Sequence, residues 1–555
     1  MRRIVILILV LLMDFICYAN FLSLNDVNVG QKGIGITRWS QNKIKKFEVE
    51  VLGVLKSNPK SGVVIAKIND DEIKESGVVA GMSGSPVYID GKLVGAVAFT
   101  WSFLKEPIVG ITPIQDMISL EEYSHRYVSL PSDVKYITPI LMSGVSSVTR
   151  KLLEEEFKSD NIVFLNSFSS FGVSKETLIS NNFIPGDAIG INLVSGDMEL
   201  TAIGTVTYVD NDKIFALGHP AFLRGKTSIP ISEVDVVAII PRQSLSFKIG
   251  VPKRIVGSLE FDGSSGIFGI IGKTAPTVKV SVNVDRKELY RYEIAKDNTL
   301  LSSLISTVLT ESILRTKGLG GEGNVVLDCG VSFRFKGFNS NFVINFKDIV
   351  PTYRLEDGYY LSLSSVNSIL DFLIYNPIFE VDISEIHIEV KTQPLDVGFI
   401  AFVIPSKVMV SPGEEIKLTV GIKKIRDEIV VREFNIKIPT WVQSGTRINI
   451  GAMNKGIRSI QKISSYPESF SFDTYERLYN FIYNDLRVDK LVVFMEIPSG
   501  GVASGGYIYN LLPNHLSTIF SLAPRSKNIL PFSIEYENYE EFPIAGVGLA
   551  SVFVR

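Results

Sequence analysis

A nucleophilic serine in acyl transfer needs an exposed hydroxyl and backbone N–H groups aimed at the developing oxyanion. The segment Val78-Val-Ala-Gly81-Met-Ser83-Gly84-Ser85-Pro86 offers that combination. Glycines near Ser83 let the backbone turn sharply and approach a substrate carbonyl without a Cβ in the way. The N–H groups of Gly81 and Ser83 would then form an oxyanion hole. Pro86 fixes the exit into a strand, and Asp90-Gly91 turns a hairpin into the next one. Ser85 is the rival nucleophile, but the glycines are centred on Ser83. A plain loop between two strands fits the same residues.

A serine nucleophile also needs a base, and only four histidines are present. His125 lies in a polar stretch, His387 alternates within a strand pattern, and His515 follows Pro513-Asn514 as at a helix start. His219 differs from these. It ends the apolar run Ile214-Phe-Ala-Leu-Gly-His-Pro, where a strand runs into a Gly-His-Pro turn. That placement suits a base at a barrel rim. It equally suits a turn histidine bonded to a backbone carbonyl.

Three segments carry a family resemblance. AGMSGSPVYIDGKLVGAV resembles the serine motif of the SpoIVB (stage IV sporulation protein B) peptidases, trypsin-like double-barrel proteases. GTVTYVDNDKIFALGHP resembles that family's histidine segment, and SGIFGIIG its following Gly-Ile-Phe-Gly segment. The resemblance covers about residues 24 to 285. It implies Ser83 as nucleophile and His219 as base. The strand Val63 to Asp70 matches the one leading to the family's acid, which implies Asp70, with Asp71 as the alternative because the gap to Ser83 is one residue shorter. Chain order departs from the family: Ser83 precedes His219 by 136 positions, whereas there the histidine comes first. Such an exchange of halves, in effect a circular permutation, does not exclude a triad, because catalysis depends on geometry. No PDZ domain is recognisable.

The elements that must position these residues are mostly strands. Phe47 to Val54 and Val278 to Val284 alternate apolar and polar residues, and turn signals recur at Asp90-Gly91, Asp210-Asn-Asp212, Asp262-Gly263 and Pro412-Gly413. Helices are few, the clearest running from a cap at Asn298 to Thr316. The fold class expected is mainly β: a trypsin-like double β-barrel in permuted order, followed by β-sandwich-like accessory domains. The divisions are a signal peptide over 1–19 and a serine-bearing half over 24–120. A polar, partly helical connection over 121–185 leads to a histidine-bearing half with a packing helix over 186–316. Then come a β-rich region over 324–400, immunoglobulin- or fibronectin-like strands over 401–440, and an α+β region over 441–555. The glycine run Gly318 to Gly323 reads as a flexible connection.

Composition narrows the function. The 555 residues suffice for several domains, and 46% apolar with 21% charged residues excludes a disordered chain. A net charge of −3 supplies no basic excess for nucleic acid. Histidine and cysteine counts are too low for the usual zinc ligand sets, the glycine run lacks a phosphate-binding lysine, and no cofactor is expected. Arg2, Arg3, the ten-residue run Ile4 to Met13 and Cys17-Tyr-Ala19 read as an export signal, too short for a membrane span. An uncleaved anchor is the alternative; a lipid on Cys17 fits less well. Cleavage after Ala19 removes two positive charges and one negative, taking the net charge from −3 to −4.

The expectation is therefore an exported serine endopeptidase, in periplasm, envelope or medium, acting on protein or peptide substrates. It has no transmembrane segment once the signal is removed. Two alternatives stand beside it: a non-catalytic cell-envelope binding or assembly protein on the same scaffold, and an esterase using the same serine. Signal removal leaves Cys329 as the only thiol, in a strand-like apolar setting. Reducing agent should leave the melting curve of the mature protein unchanged; a drop in melting temperature would reveal an intermolecular bridge.

Overall fold

The computed structural model describes residues 21–555 except 42, 59–60, 102–103, 123–133, 159–160, 168–182, 319–321, 337–340, 353–364, 376–379, 466–473, 499–500, 505–506, 511, 523–526 and 530–531. The expected signal peptide, His125, and parts of the 121–185 and Gly318–Gly323 connections lie outside the described residues. Two units divide the chain: Met1–Lys279 with Arg291–Leu304, and Val280–Tyr290 with Ile305–Arg555.

The first unit holds two closed barrels. Strands β1 (Lys32–Ser40), β2 (Lys43–Asn58), β3 (Ser61–Asn69), β4 (Pro86–Ile89), β5 (Lys92–Trp101) and β6 (Ile108–Pro113) pair in the order β4-β1-β2-β3-β6-β5. Pairing of β5 back onto β4 closes the ring. Alternation drives this closure. Phe47, Val49 and Val51 from β2 and Val64, Ala66 and Ile68 from β3 all point into one buried core. Gly35 of β1 leaves room for the Phe47 ring, which would sit 2.2 Å from a Cβ there. The β4–β5 hairpin turns at Asp90 (φ 50°) and Gly91 (φ 76°), as the Asp-Gly pair predicts. Between β3 and β4 lies the short helix α1 (Asp71–Ser76), and α2 (Ile114–Ile118) follows β6.

A two-stranded pairing β7 (Val134–Lys135) on β5, strand β8 (Thr138–Ser143), helix α3 (Ser147–Glu156) and strand β9 (Ile162–Asn166) lead to the second barrel. Its strands are β10 (Ala188–Gly196), β11 (Glu199–Asp210), β12 (Lys213–Ala216), β13 (Gly225–Ile240), β14 (Phe247–Gly263) and β15 (Gly266–Ile271). They run in the order β10-β13-β14-β15-β12-β11, and β11 pairs back onto β10. Both rings are antiparallel, with six strands each. The barrels share an apolar seam: Leu93 and Ala96 of the first meet Phe215, Phe261 and Phe268 of the second, with Ile114, Met117 and Leu120 between them. This seam fixes the rims that carry Ser83 and His219.

The division between the units passes between Leu304 and Ile305, inside the helix Leu301–Lys317. The Asp297 carboxylate takes the N–H of Thr299 (3.0 Å) and of Leu300 (3.3 Å). In the second unit, strands Gly323–Phe335 and Phe342–Thr352 form a hairpin, and Val381–Gln393 pairs with the first of them. Cys329 there is fully buried, and burial raises its thiol pKa, so it packs as a small apolar residue. The strands expected within 401–440 form a sheet with Ile544–Ala545. It packs against a second sheet containing Arg447–Asn454, Lys490–Ile497, Phe532–Tyr539 and Gly548–Val554. One core, including Leu418, Val420, Ile450, Val493 and Val552, lies between them and makes a sandwich. No helix among the described residues is long and apolar enough to cross a membrane.

Phe215 is 1% exposed at the seam. Phe215→Ala should cost about 3–5 kcal/mol in chemical denaturation of the first unit's transition. A loss under about 1 kcal/mol would mean that the seam does not hold the barrels together.

Candidate active site

Ser83 sits on the loop between α1 and β4, and hydrogen bonds define that loop from both barrels. The amides of Met82, Gly84 and Ser85 donate to the carbonyls of Val79 (2.9 Å), Val97 (2.7 Å) and Met82 (2.9 Å). The fully buried Met82 side chain anchors the turn in the first barrel's core. Gly81 (φ +96°) and Gly84 (φ +98°) both occupy the left-handed region. At Gly84 the need is steric as well: a Cβ would lie 1.8 Å from the carbonyl oxygen of Thr205. The N–H groups of Gly81 and Ser83 have no acceptor among the described residues. Ser85 is fully buried, and its hydroxyl donates to the Met82 carbonyl at 2.6 Å, which leaves Ser83 as the available hydroxyl.

His219 follows β12 through Leu217 (φ 69°) and Gly218 (φ 74°), two consecutive left-handed residues. A Cβ on Gly218 would come within 3.0 Å of the Ala96 side chain, and the Gly218 carbonyl accepts from the Thr112 hydroxyl at 2.6 Å. The histidine turn therefore rests on the first barrel. Asp262, buried at the end of β14, takes the N–H groups of Ala221 (2.8 Å), Phe222 (2.7 Å) and Arg224 (3.1 Å). Burial raises the Asp262 pKa, against these three donors. The sequence reads Asp262-Gly263 only as a turn signal; its carboxylate instead shapes the loop after His219.

The imidazole is 2% exposed and stacks on Tyr136, ring centroids 4.9 Å apart. Its Nδ1 lies 2.8 Å from the Pro220 carbonyl, which can only accept, so Nδ1 carries the proton. Nε2 is then the basic nitrogen, and among the described residues it has no hydrogen-bond partner, the Ser83 hydroxyl included. Burial lowers the His219 pKa to about 4, so the ring is neutral at pH 7.

Asp70 stands elsewhere in the network. Its carboxylate caps α1 by accepting from Ile73 N–H at 3.1 Å and pairs with Lys45 at 2.9 Å. Asp71 is fully exposed and pairs with Lys74 at 3.4 Å. Neither is a partner of the His219 ring. His387 is half-exposed in the second unit, bonded to Ser281 and Glu389. His515 is exposed near the start of the helix Asn514–Ser521.

Two residues that the sequence does not single out join the segments. Thr205 of β11 is fully buried; its N–H donates to the Ser83 carbonyl (2.7 Å), its hydroxyl to the Gly81 carbonyl (2.8 Å), and its carbonyl accepts from Leu217 N–H (3.2 Å). Lys248 of β14, also fully buried, donates to the hydroxyls of Thr37 (2.9 Å) and Thr205 (3.1 Å). Burial, reinforced by Arg38, lowers its pKa to about 7. Nothing in local periodicity marks either residue, because each acts across the barrel seam. Among the described residues no group of acidic, histidine and cysteine side chains is arranged to hold a metal ion.

Residues 19–118 match the model of the SpoIVB peptidase S55 family, a likeness that spans the serine-bearing barrel. Curated proteins give no match. A Ca2+-stabilised ice-binding adhesin of an Antarctic bacterium aligns at 7% identity over 96% of this chain and 91% of that one; its TM-score of 0.06 carries no structural argument.

The His219 ring makes acid stability testable. Its folded pKa of about 4 lies below the ordinary 6.5, so the folded state resists protonation. Stability should be full above pH 6.5 and fall by roughly 3 kcal/mol as pH drops towards 4. The difference between wild type and His219→Gln in denaturant titrations isolates this effect. Parallel pH profiles for the two proteins would refute it.

Proposed function

Starting from the SpoIVB-type match over residues 19–118, we propose that the protein is an exported serine endopeptidase. Its two barrels correspond to the two halves of a trypsin-like fold in exchanged order. The observation that carries the reading is the pair of unpartnered N–H groups, Gly81 and Ser83, on the loop that presents the Ser83 hydroxyl. Such donors are what a tetrahedral oxyanion requires.

In this mechanism the Ser83 hydroxyl attacks the scissile carbonyl carbon, and His219 Nε2 takes its proton. The carbonyl oxygen becomes the oxyanion held by Gly81 and Ser83 N–H. Collapse breaks the C–N bond, Nε2–H returns the proton to the leaving amine, and an acyl-serine remains. Water then attacks under the same base and releases the acid. The Pro220 carbonyl holds Nδ1–H and fixes the tautomer, the task a carboxylate performs in a full triad. Asp70 keeps α1 and the approach to the serine loop in place. One observation favours the alternative of a non-catalytic envelope scaffold: the near-complete burial of His219.

A fluorophosphonate probe and a peptide substrate test this together. Labelling should vanish in Ser83→Ala and persist in Ser85→Ala, and His219→Ala should lower turnover by about 10⁴ to 10⁶. Asp70→Asn, which retains a capping side chain, should stay within about tenfold of wild type. A 10⁴-fold loss there would restore Asp70 as the triad acid. Folded mature protein that does not label would favour the scaffold reading.

A further inference from the structure

Each N–H of the serine loop belongs to a peptide plane whose carbonyl points the opposite way, so fixing the carbonyl aims the N–H. The Ser83 N–H shares its plane with the Met82 carbonyl, which accepts from the Ser85 amide (2.9 Å) and hydroxyl (2.6 Å). The Gly81 N–H shares its plane with the Ala80 carbonyl, and that carbonyl accepts from the Lys248 N–H at 3.1 Å. Just before β14, the Ser246 carbonyl takes the Ala80 N–H at 2.8 Å. On the other side, the Gly81 carbonyl accepts from the Thr205 hydroxyl at 2.8 Å. The Lys248 ammonium donates to that hydroxyl at 3.1 Å and to the Thr37 hydroxyl at 2.9 Å. An ammonium has no lone pair, so Thr205 must turn its own hydrogen to Gly81. One fully buried residue therefore holds Gly81 from both flanks. A glycine at φ +96° needs such holding, because nothing in its own structure keeps it in the left-handed region.

We propose that Lys248 is a positioning residue of the oxyanion hole. Its N–H fixes the peptide that carries the Gly81 donor, and its ammonium, through Thr205, fixes the peptide on the far side. This role rests on the serine peptidase reading and deepens it. The stem takes part as well: its Cδ lies 3.2 Å from where a Cβ on Gly81 would stand. Charged groups on the neighbouring strands are engaged elsewhere, Arg38 of β1 with Asp187, and Glu233 and Asp235 of β13 with Arg254 and Lys253. Burial first and Arg38 second lower the Lys248 pKa to about 7, so the ammonium is lost as pH rises through that value. A neutral amine accepts as well as donates, and it no longer commits the Thr205 hydrogen to Gly81. It is also the weaker donor.

Steady-state kinetics of the full chain test this, on a peptide selected by its cleavage from a proteome-derived library. Fluorophosphonate labelling carried to completion counts the active sites of each preparation. Wild-type kcat should fall about tenfold between about pH 6 and about pH 9 at constant KM, the scale of one lost hydrogen bond. Lys248→Met keeps the stem and the backbone N–H but carries no charge. Its kcat should lie about tenfold below wild type at the lower pH and meet the wild-type value at the higher one, again at constant KM. Thr205→Val cuts the link from the lysine to Gly81 and should show the same flat, low profile. Thr205→Ser should restore kcat to within about threefold, and this pair covers the case of a Lys248 variant that does not fold. Variants that lose melting temperature without this convergence, or that keep the wild-type pH profile, overturn the role of Lys248 and leave the peptidase standing. Wild-type protein that neither labels nor cleaves overturns both.

Discussion

Thr205 is the residue on which the two halves of the candidate site depend. Its amide, hydroxyl and carbonyl all engage the serine loop or the histidine turn, across a sequence separation of 124 residues in the case of Gly81. A fully buried threonine with three satisfied polar groups tolerates little displacement, because each lost bond would strand a desolvated donor or acceptor. The contact also explains why glycine is needed at position 84. The Thr205 carbonyl oxygen occupies the space that any Cβ would take, so close approach and loop geometry are one constraint.

Lys248 extends that constraint. Its ammonium joins Thr37 on the first barrel to Thr205 on the second, and its stem lies 3.2 Å from the position of a Cβ on Gly81. A buried lysine facing two hydroxyls rather than a carboxylate is expensive to charge, which is why its pKa falls to about 7. The apolar seam of Phe215, Phe261 and Phe268 then supplies the non-directional attraction, and the threonine and lysine contacts supply the register.

The second unit is built on different terms. A sandwich core without charged members fills the space between two sheets. At one edge, Lys455, Arg458 and Lys462 converge on Glu535, with Glu496 and Glu537 adding further pairs. These cations lower the Glu535 pKa to about 2 despite its burial. The group is internally compensated, as buried charges must be.

How much of this was legible beforehand follows from the range of each interaction. Strand alternation at Phe47-Val49-Val51, the Asp90-Gly91 hairpin and the glycines around Ser83 are local, and the sequence by itself determined them. Composition also isolates His219, and a turn histidine bonded to a backbone carbonyl, one of the two settings its segment suits, is the arrangement Nδ1 makes with Pro220. Asp70 shows the opposite case. Alignment of a strand suggested a catalytic acid, yet the carboxylate precedes a helix and accepts the nearby Ile73 N–H, a contact fixed three residues away. The partnership of Thr205 with Gly81, of Lys248 with Thr37, and of Asp262 with the loop after His219 was decided only by the tertiary structure. Periodicity reports which residues face inward. Which inward-facing donor meets which acceptor depends on how two closed barrels meet, and that is set by their shared seam.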